Sequence, residues 1–330
     1  MNELRVLAIA ALVAAVLGLA TCLIANTAVA QSYPSRPIRL IVAYPPGGGT
    51  DTFARIVALK LTELAGQRVI VDNRSGAAGN IGYGIAARAQ PDGYTLLWGF
   101  STPLVVNPSL YKNLPFDSEK DFAPIAFLGS AQYLLVVHSS VQANSLQDLI
   151  VLLKSKPGQF PYGSPGIGSP NHLAGELFKG RAGVDIIHVA YKGGGAVALA
   201  VLSGEVKILF GSFASSLPHV KAGSVKALAV TGPKRSHEVP SVPTMQESGL
   251  PGFDVRAWYG VLAPAGTPKA IVTRLNHDLL KLLSMPEVQE ALKRAGFEPS
   301  GSTPEDFAAY IKSEKTLWAK VIKDADIKPE

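Results

Sequence analysis

"AYPPGGGTDTFARIVA", residues 43–58, carries the first decision about the fold. Three glycines stand between an apolar, β-branched run at 38–44 and a segment where Phe53, Ile56, Val57, Leu61 and Leu64 recur at helical spacing. The reading is strand, glycine loop, helix. Thr50 or Asp51 is expected to cap that helix and Gly66 to end it. A loop of this kind lets the backbone come close to something, because glycine has no side chain to block approach.

The unit recurs along the chain. "RVIVDN" (68–73) reads as a strand, followed by the loop "RSGAAGNIG" and a helical segment that runs to a turn at 91–93. "YTLLWG" (94–99) is the third strand, and two more are expected near 124–128 and 133–138. A helix starts at Ser145, with Asp148 at capping-box spacing. "FPYGS" (160–164) leads to "PGIGSPNHLAGELFKG", where Ser169 caps and Pro170 takes the first helical position. "DIIHVAY", the loop-plus-helix "KGGGAVALAVLSG", "VKILFGS" and "VKALAVTG" continue the alternation, and a Pro- and Gly-rich crossing follows from Val242. Three helices close the chain, from Thr267-Pro268, near 285–295, and from Thr303-Pro304 with Asp306 at the third helical position. Repeated strand–loop–helix units imply an α/β fold with largely parallel sheets. In such sheets ligands bind outside the carboxyl ends of the strands, which is where the glycine loops fall.

Backbone N–H groups in the first turn of a helix have no intrahelical partner, and the helix dipole makes that end partly positive. "PPGGGTD", "RSGAAGN", "PGIGSPN" and "YKGGGA" can therefore each aim donors at an anion, with Thr50, Ser75, Ser164 and Ser169 adding hydroxyls. One such loop has a purely steric explanation. Four, split between the two halves of the chain, favour shared capture of an anion.

The chain opens with Arg5, an apolar run from Val6 to Ala25, and the small-x-small signal Ala28-Val29-Ala30. This reads as a secretory signal peptide cleaved near Ala30, which places the folded part in the periplasm. A retained membrane anchor and lipoprotein processing at Cys22 are the alternatives; Thr21 is a poor residue before such a cysteine. Cys22 is the single cysteine, so a mature chain would have no disulfide, thiolate nucleophile or cysteine metal ligand. The net charge is +6, from scattered Lys and Arg without a dense basic run, which does not point to nucleic acid.

Other chemistries fit poorly. A phosphate-binding P-loop needs a Lys after its glycines, and Thr50-Asp51 stands there instead. "GIGSPN" (166–171) ends in Asn171 where a dinucleotide fingerprint needs Gly. There is no G-x-S-x-G elbow, and the six histidines form no close metal-ligand pair. No cofactor and no metal are expected. Tyr44, Tyr191 and Trp258 fall at strand ends or crossings, and Tyr191 precedes a glycine loop, so it is a candidate for the pocket wall.

"YPSRPIRLIVAYPPGGGTDTFARIVA", "VIVDNRSGAAGNIG", "PDGYTLLWG", "YGSPGIGSPNHLAGELF", "HVAYKGGGAV", "VPTMQESGLPGF" and "WYGVLAPAGTP" together resemble the Bug family, the TctC-like extracytoplasmic receptors of tripartite tricarboxylate transporters. The resemblance runs in order through nearly the whole chain after the leader. It implies a two-domain, Venus-flytrap periplasmic binding protein hinged on two crossing strands. Domain 1 would comprise residues 31–132 and 254–330, and domain 2 residues 133–253. It implies a small carboxylate held through loop N–H groups and hydroxyls, at Gly47, Gly48, Thr50 and Asp51, at Ser75, Ala77 and Ala78, and at Ser101 and Thr102. From domain 2 it implies Ser164, Gly166, Ser169, Tyr191 and Gly194. Many members resembling this chain carry an aspartate just after the strand "ILF", where it can meet a ligand ammonium. Gly211-Ser212 stand there in this sequence. The expected ligand is thus a di- or tricarboxylate or an aromatic acid without an ammonium group. The expected partners are membrane transporter subunits or a sensor protein, and a monomer is expected. The alternative is an exported hydrolase or lyase acting on a carboxylated substrate.

Overall fold

The computed structural model describes residues 33–191 and 193–328. The expected leader, with its Val6–Ala25 run, Cys22 and Ala30, and also Lys192, lie outside the described residues. The chain divides into Met1–Ser35 and Arg36–Glu330. Only Tyr33–Ser35 of the first unit is described, and the fold below is that of the second.

Ten strands form a mixed sheet. In chain order they are β1 (Ile38–Val42), β2 (Val69–Asn73), β3 (Thr95–Phe100), β4 (Phe122–His138), β5 (Pro161–Ser164), β6 (Ile187–Ala190), β7 (Ile208–Ser212), β8 (Val225–Val230), β9 (Arg256–Pro264) and β10 (Glu298–Pro299). The order is β2-β1-β3-β9-β4-β7-β5-β6, with β8 and β10 also paired to β4. The strand–loop–helix units give parallel pairs, β1 with β2 and β3, and β5 with β6 and β7. The expectation of largely parallel sheets is corrected at the centre. There β9 pairs antiparallel with β3 and β4, and β4 antiparallel with β7 and β8.

β4 also corrects the expectation of two separate strands. It is one 17-residue strand. Phe122–Gln132 pairs with β9, and Tyr133–His138 pairs with β7 and β8, so the change of partners falls between Gln132 and Tyr133. Gly129 explains why the sequence reads as broken. It has φ 151°, the pairing register shifts beside it, and a Cβ there would lie 2.6 Å from the Glu298 carbonyl oxygen. Only glycine allows β10 to approach so closely. The result is two half-sheets, with β4 continuous between them.

The helices are α1 (Gly49–Ala65), α2 (Asn80–Ala87), α3 (Asn107–Leu110), α4 (Leu146–Ser155), α5 (Pro170–Ala182), α6 (Gly194–Ser203), α7 (Phe213–Lys221), α8 (Lys269–Leu283), α9 (Pro286–Arg294) and α10 (Pro304–Asp324). Side-chain caps start three of them as their spacing implies: Ser145 accepts from the Asp148 N–H, Ser169 from His172 and Thr303 from Asp306. α1 differs. It begins at Gly49 with Gly48 in the capping position and no side-chain cap, while Asp51 sits inside the first turn. α7 was not anticipated between "VKILFGS" and "VKALAVTG". Ser212 caps it, and Pro218 lies within it.

The core sits under the strand ends that carry the loops. Phe53 of α1 packs against Trp98, Tyr259 and Phe297, with ring centroids 5.3, 5.2 and 4.7 Å apart. Each such burial contributes roughly 1.5–3 kcal/mol, and tilted and edge contacts of this kind add specificity. The cluster fixes α1 to β3 and β9 and so fixes the loop ahead of α1. Among the described residues no helix is long and apolar enough to cross a membrane.

Candidate functional site

A cleft of about 550 Å³ opens between the two half-sheets. Five helix starts reach its wall: Gly48, Gly49 and Thr50 at α1; Ala78 ahead of α2; Ser169, Pro170 and Asn171 at α5; Gly193 and Gly194 at α6; and Ser212, Phe213, Ala214 and Ser215 at α7. Among the described residues no Lys, Arg, Asp, Glu or His lines it. The positive potential comes from peptide dipoles and unpaired N–H groups, a charge-neutral way to receive an anion. Aromatic and aliphatic side chains fill the rest of the wall, with Tyr44, Phe100, Tyr133, Tyr259 and Phe297 prominent.

The first loop is held from behind. Asp51, 2 % exposed, turns its carboxylate away from the cleft. Its Oδ2 accepts the Gly47 N–H at 2.9 Å and Arg55 Nε at 2.8 Å, and its Oδ1 accepts Asn73 Nδ2 at 2.9 Å. Burial alone would push this carboxyl up; the bonds from Arg55, Gly47 and Asn73 outweigh it and hold the group below its ordinary range. Thr50 and Thr102 remain on the wall with Tyr259 and Tyr44. Burial raises the Tyr259 and Tyr44 phenols, so they stay neutral.

The second loop stores strain. Gly76, Ala77, Ala78 and Gly79 have φ of 127°, 48°, 53° and 92°. A left-handed alanine costs roughly 1–2 kcal/mol. Asn107, fully buried, keeps the turn in place: its Nδ2 donates to the Ala78 carbonyl at 3.1 Å and to Asn80 Oδ1 at 2.6 Å. Such strain persists where surrounding structure over-determines it, and it recurs at ligand clamps.

In the other half, Ser164 is fully buried and off the cleft. Its Oγ lies 2.7 Å from His188 Nε2, accepts the Gly166 N–H at 3.1 Å and donates to the Gly166 carbonyl at 3.1 Å. His188 and His172 rings lie 4.0 Å apart, and His172 Nδ1 accepts the Gly168 N–H at 3.2 Å. Burial drives both histidines down, His172 to about 3 with His188 and Lys179 adding to the effect, and His188 to about 4. Two neutral imidazoles thus hold the loop that presents Gly166 and Ser169. The Ser164–His188 distance would suit a nucleophile and its base, but the hydroxyl is sealed from the cleft.

Of the residues singled out from sequence, Gly48, Thr50, Ala78, Thr102, Gly166, Ser169, Gly194, Gly211 and Ser212 lie on the cleft wall. Gly47, Asp51, Ser75, Ala77, Ser101, Ser164 and Tyr191 do not. Gly47 spends its N–H on Asp51. Ser75 and Ala77 are exposed outside the cleft, and Ser101 is buried beside Thr102. Tyr191 points away and donates to Glu205 Oε1 at 2.8 Å. Tyr133, Tyr259, Phe297 and Gln132 line the cleft without having been singled out. They come from sequence-distant segments, and no local spacing marks them. The Pro- and Gly-rich crossing around Trp258 was the only signal near Tyr259.

Residues 53–327 match the family described as tripartite tricarboxylate transporter family receptor, TctC. The chain belongs to this family. It is 37% identical to the protein BugT of Bordetella pertussis, over 99% of both chains. Among solved structures it is similar to Rpa4515 of R. palustris with adipate, at 36% identity and TM-score 0.81 over 90% of this chain and 100% of the other. It is also similar to the periplasmic binding protein BugD, at 33% identity and TM-score 0.77 over 90% of this chain and 100% of the other. TctC and Bug receptors are solute-binding proteins of the periplasm, and the fold here is theirs.

Proposed function

We propose that this receptor captures a small organic carboxylate without an ammonium group in the periplasm and hands it to membrane transporter subunits or a sensor. The capturing parts are domain 1, residues 31–132 and 254–330, and domain 2, residues 133–253. They close on the ligand about the β4 and β9 crossing. Ligand binding to loops of one domain recruits the loops of the other, so the ligand shifts an open–closed equilibrium. The observation that carries this reading is the convergence of five helix starts on a cleft without a charged side chain among the described residues. Such a site rewards a negative guest and offers no counter-ion to an amine. The adipate held by the Rpa4515 structure supports the carboxylate class. The sealed Ser164 hydroxyl supports capture over turnover.

The test is a thermal-shift screen of organic acids and amino acids on the purified protein, with mass spectrometry of whatever the protein retains from expression. Stabilisation by plain carboxylates, with the ligand recovered unchanged, is the expected result. Selective stabilisation by aspartate or glutamate would reject the ammonium-free ligand. Conversion of the ligand to product would establish the hydrolase or lyase reading instead.

A further inference from the structure

Gln132 stands where β4 changes partners. It is the last residue paired with β9, opposite Arg256, and Tyr133 is the first paired with β7. Its side chain reaches both ways from that point. Nε2 donates to Glu298 Oε1 of β10 at 2.7 Å, and Oε1 accepts the N–H of Gly232, just after β8, at 3.1 Å. Gln132 is 4 % exposed, and Gly232 is buried. The two partners fix which way the amide points, because a carboxylate takes only its NH2 end and an N–H only its oxygen.

Gly232 is shaped for this bond. Its φ lies outside the left-handed region, so conformational freedom does not explain the glycine. Space does: a Cβ there would lie 2.5 Å from Gln132 Oε1 and 3.0 Å from its Cδ. Thr231 carries Gly232 with the second half-sheet, donating its N–H to the Tyr133 carbonyl at 3.0 Å and accepting the Tyr133 N–H on Oγ1 at 2.9 Å. That hydroxyl donates to the Val255 carbonyl at 2.6 Å, so the crossing that leads into β9 turns at the same point. Glu298 belongs with the first half-sheet, because β10 pairs with β4 at Gly129 and Ser130. One amide thus ties the two halves where the chain crosses between them. The halves meet at two further places. Phe213 Cβ lies 3.6 Å from the Cβ position of Gly296, and Leu110 Cδ1 lies 2.8 Å from that of the buried Gly168. The bridge therefore accompanies a closed conformation.

We propose that Gln132 is a positioning residue for closure: oriented by Glu298, its amide oxygen holds Gly232 and sets the angle between the two domains in the closed conformation. The proposal rests on the two-domain receptor reading and adds to it a contribution to affinity that is made by the protein alone. A buried N–H that loses its acceptor is costly, so parting the domains at this point has an energetic penalty. The apparent affinity of a receptor falls with the fraction of molecules in the binding-competent state, so a weaker bridge reads out as weaker binding. Gln132 also lines the cleft, whereas Glu298 does not. The Glu298 end therefore allows the bridge to be cut without altering the wall.

The test combines small-angle X-ray scattering of the ligand-free full protein with calorimetry, using succinate, adipate and benzoate as probes. Gln132→Met keeps the length of the side chain and removes both polar ends; Glu298→Ala removes the orienting carboxylate. Each is expected to raise the ligand-free radius of gyration above that of the wild type and to weaken every acid that binds by about 10-fold, alike for all of them. The double variant is expected to stay within about twofold of either single one, because both cut the same bridge. Glu298→Gln keeps an acceptor oxygen and is expected to stay within about twofold of the wild type. An unchanged radius of gyration in both single variants overturns the proposal, even if they melt earlier, because the bridge would then serve stability alone. Weaker binding in Gln132→Met with wild-type binding in Glu298→Ala also overturns it, and makes Gln132 a contact to the ligand. If none of the three acids binds the wild type, the carboxylate-receptor reading fails, while the scattering comparison still decides the bridge.

Discussion

The Asp51 carboxylate and the Gly47 N–H are joined at 2.9 Å across the first turn of α1, on the side of the loop away from the cleft. The same carboxylate takes Arg55 and Asn73, and Asn73 Nδ2 reaches on to the Tyr44 carbonyl at 3.0 Å. An acidic residue at an anion site would repel its ligand if it faced inward. Turned outward it fixes the glycine loop while the N–H groups of Gly49 and Thr50 stay available.

Asp51→Ala removes this clamp and leaves Gly47 and Asn73 with unmet donors. The expected loss is about 2 kcal/mol of stability, the range for hydrogen bonds to a buried charged acceptor, together with weaker carboxylate binding. Asp51→Asn keeps one acceptor oxygen and is expected to recover part of both. Urea unfolding at neutral pH and calorimetry with the same carboxylate check the pair. Unchanged affinity in a destabilised Asp51→Ala protein would show that the loop geometry does not depend on the clamp.

Ala77 and Ala78 are left-handed at φ 48° and 53°. Ala78→Gly removes the steric cost of that conformation but loosens the unfolded and ligand-free chain. The expected result is a rise of up to about 1 kcal/mol in stability with a fall in affinity, because a strained loop is also a pre-organised one. Thermal melts and calorimetry would separate the two effects. A gain in stability with unchanged affinity would mean that the strain serves the fold alone.

The cleft wall holds no Lys, Arg, Asp, Glu or His among the described residues, and burial raises its tyrosines, so acid acts through the groups behind it. His172 is depressed to about 3 from an ordinary 6.5, chiefly by burial. The unfolded chain therefore takes up a proton at a higher pH than the folded one does. Stability from this group is complete above pH 6.5 and drains away as pH falls from 6.5 toward about 3. The slope contributed by His172 is at most about 1.4 kcal/mol per pH unit, and the partly exposed His188 adds less. Asp51 adds a separate loss below its ordinary 3.8. His172→Asn offers an oxygen near the place of Nδ1 for the Gly168 N–H and is expected to flatten the stability curve between pH 6 and 4. Urea unfolding across that range checks it; an unaltered slope would assign the acid sensitivity elsewhere.

The glycine loops were legible because their cause is local. Gly47, Gly76, Gly79, Gly166 and Gly193 all have φ between 85° and 140°, a demand that the sequence meets residue by residue. The caps at Ser145, Ser169 and Thr303 were legible for the same reason. β4 read as two strands because Gly129 answers to β10, more than 160 residues away, as the Gln132–Glu298 bond shows with its separation of 166. α7 was missed because Pro218 in a nine-residue segment reads as a breaker, yet the helix forms with Pro218 inside it and Ser212 as its cap. Tyr191 beside its glycine loop suggested a pocket residue, but Glu205 fourteen residues later turns its hydroxyl outward. What local spacing cannot carry is which side of a loop faces the ligand, since that depends on distant partners.

The Gly211–Ser216 contact gives a last prediction that is independent of any ligand. A Cβ at 211 would stand 1.9 Å from Ser216 Oγ and 3.2 Å from Ser216 Cβ. The hydroxyl, not the helix backbone, is thus the main obstacle. Gly211→Ala in the wild-type background is expected to cost about 1–3 kcal/mol, as overpacking does in a filled interior. In a Ser216→Ala background most of that cost disappears, because the remaining 3.2 Å contact needs a shift of only a few tenths of an ångström. A double-mutant cycle by urea unfolding reads the coupling directly, and a value above about 0.5 kcal/mol is expected for residues in contact. Additive effects would mean that Ser216 can turn aside, and that its hydroxyl is not fixed against Gly211.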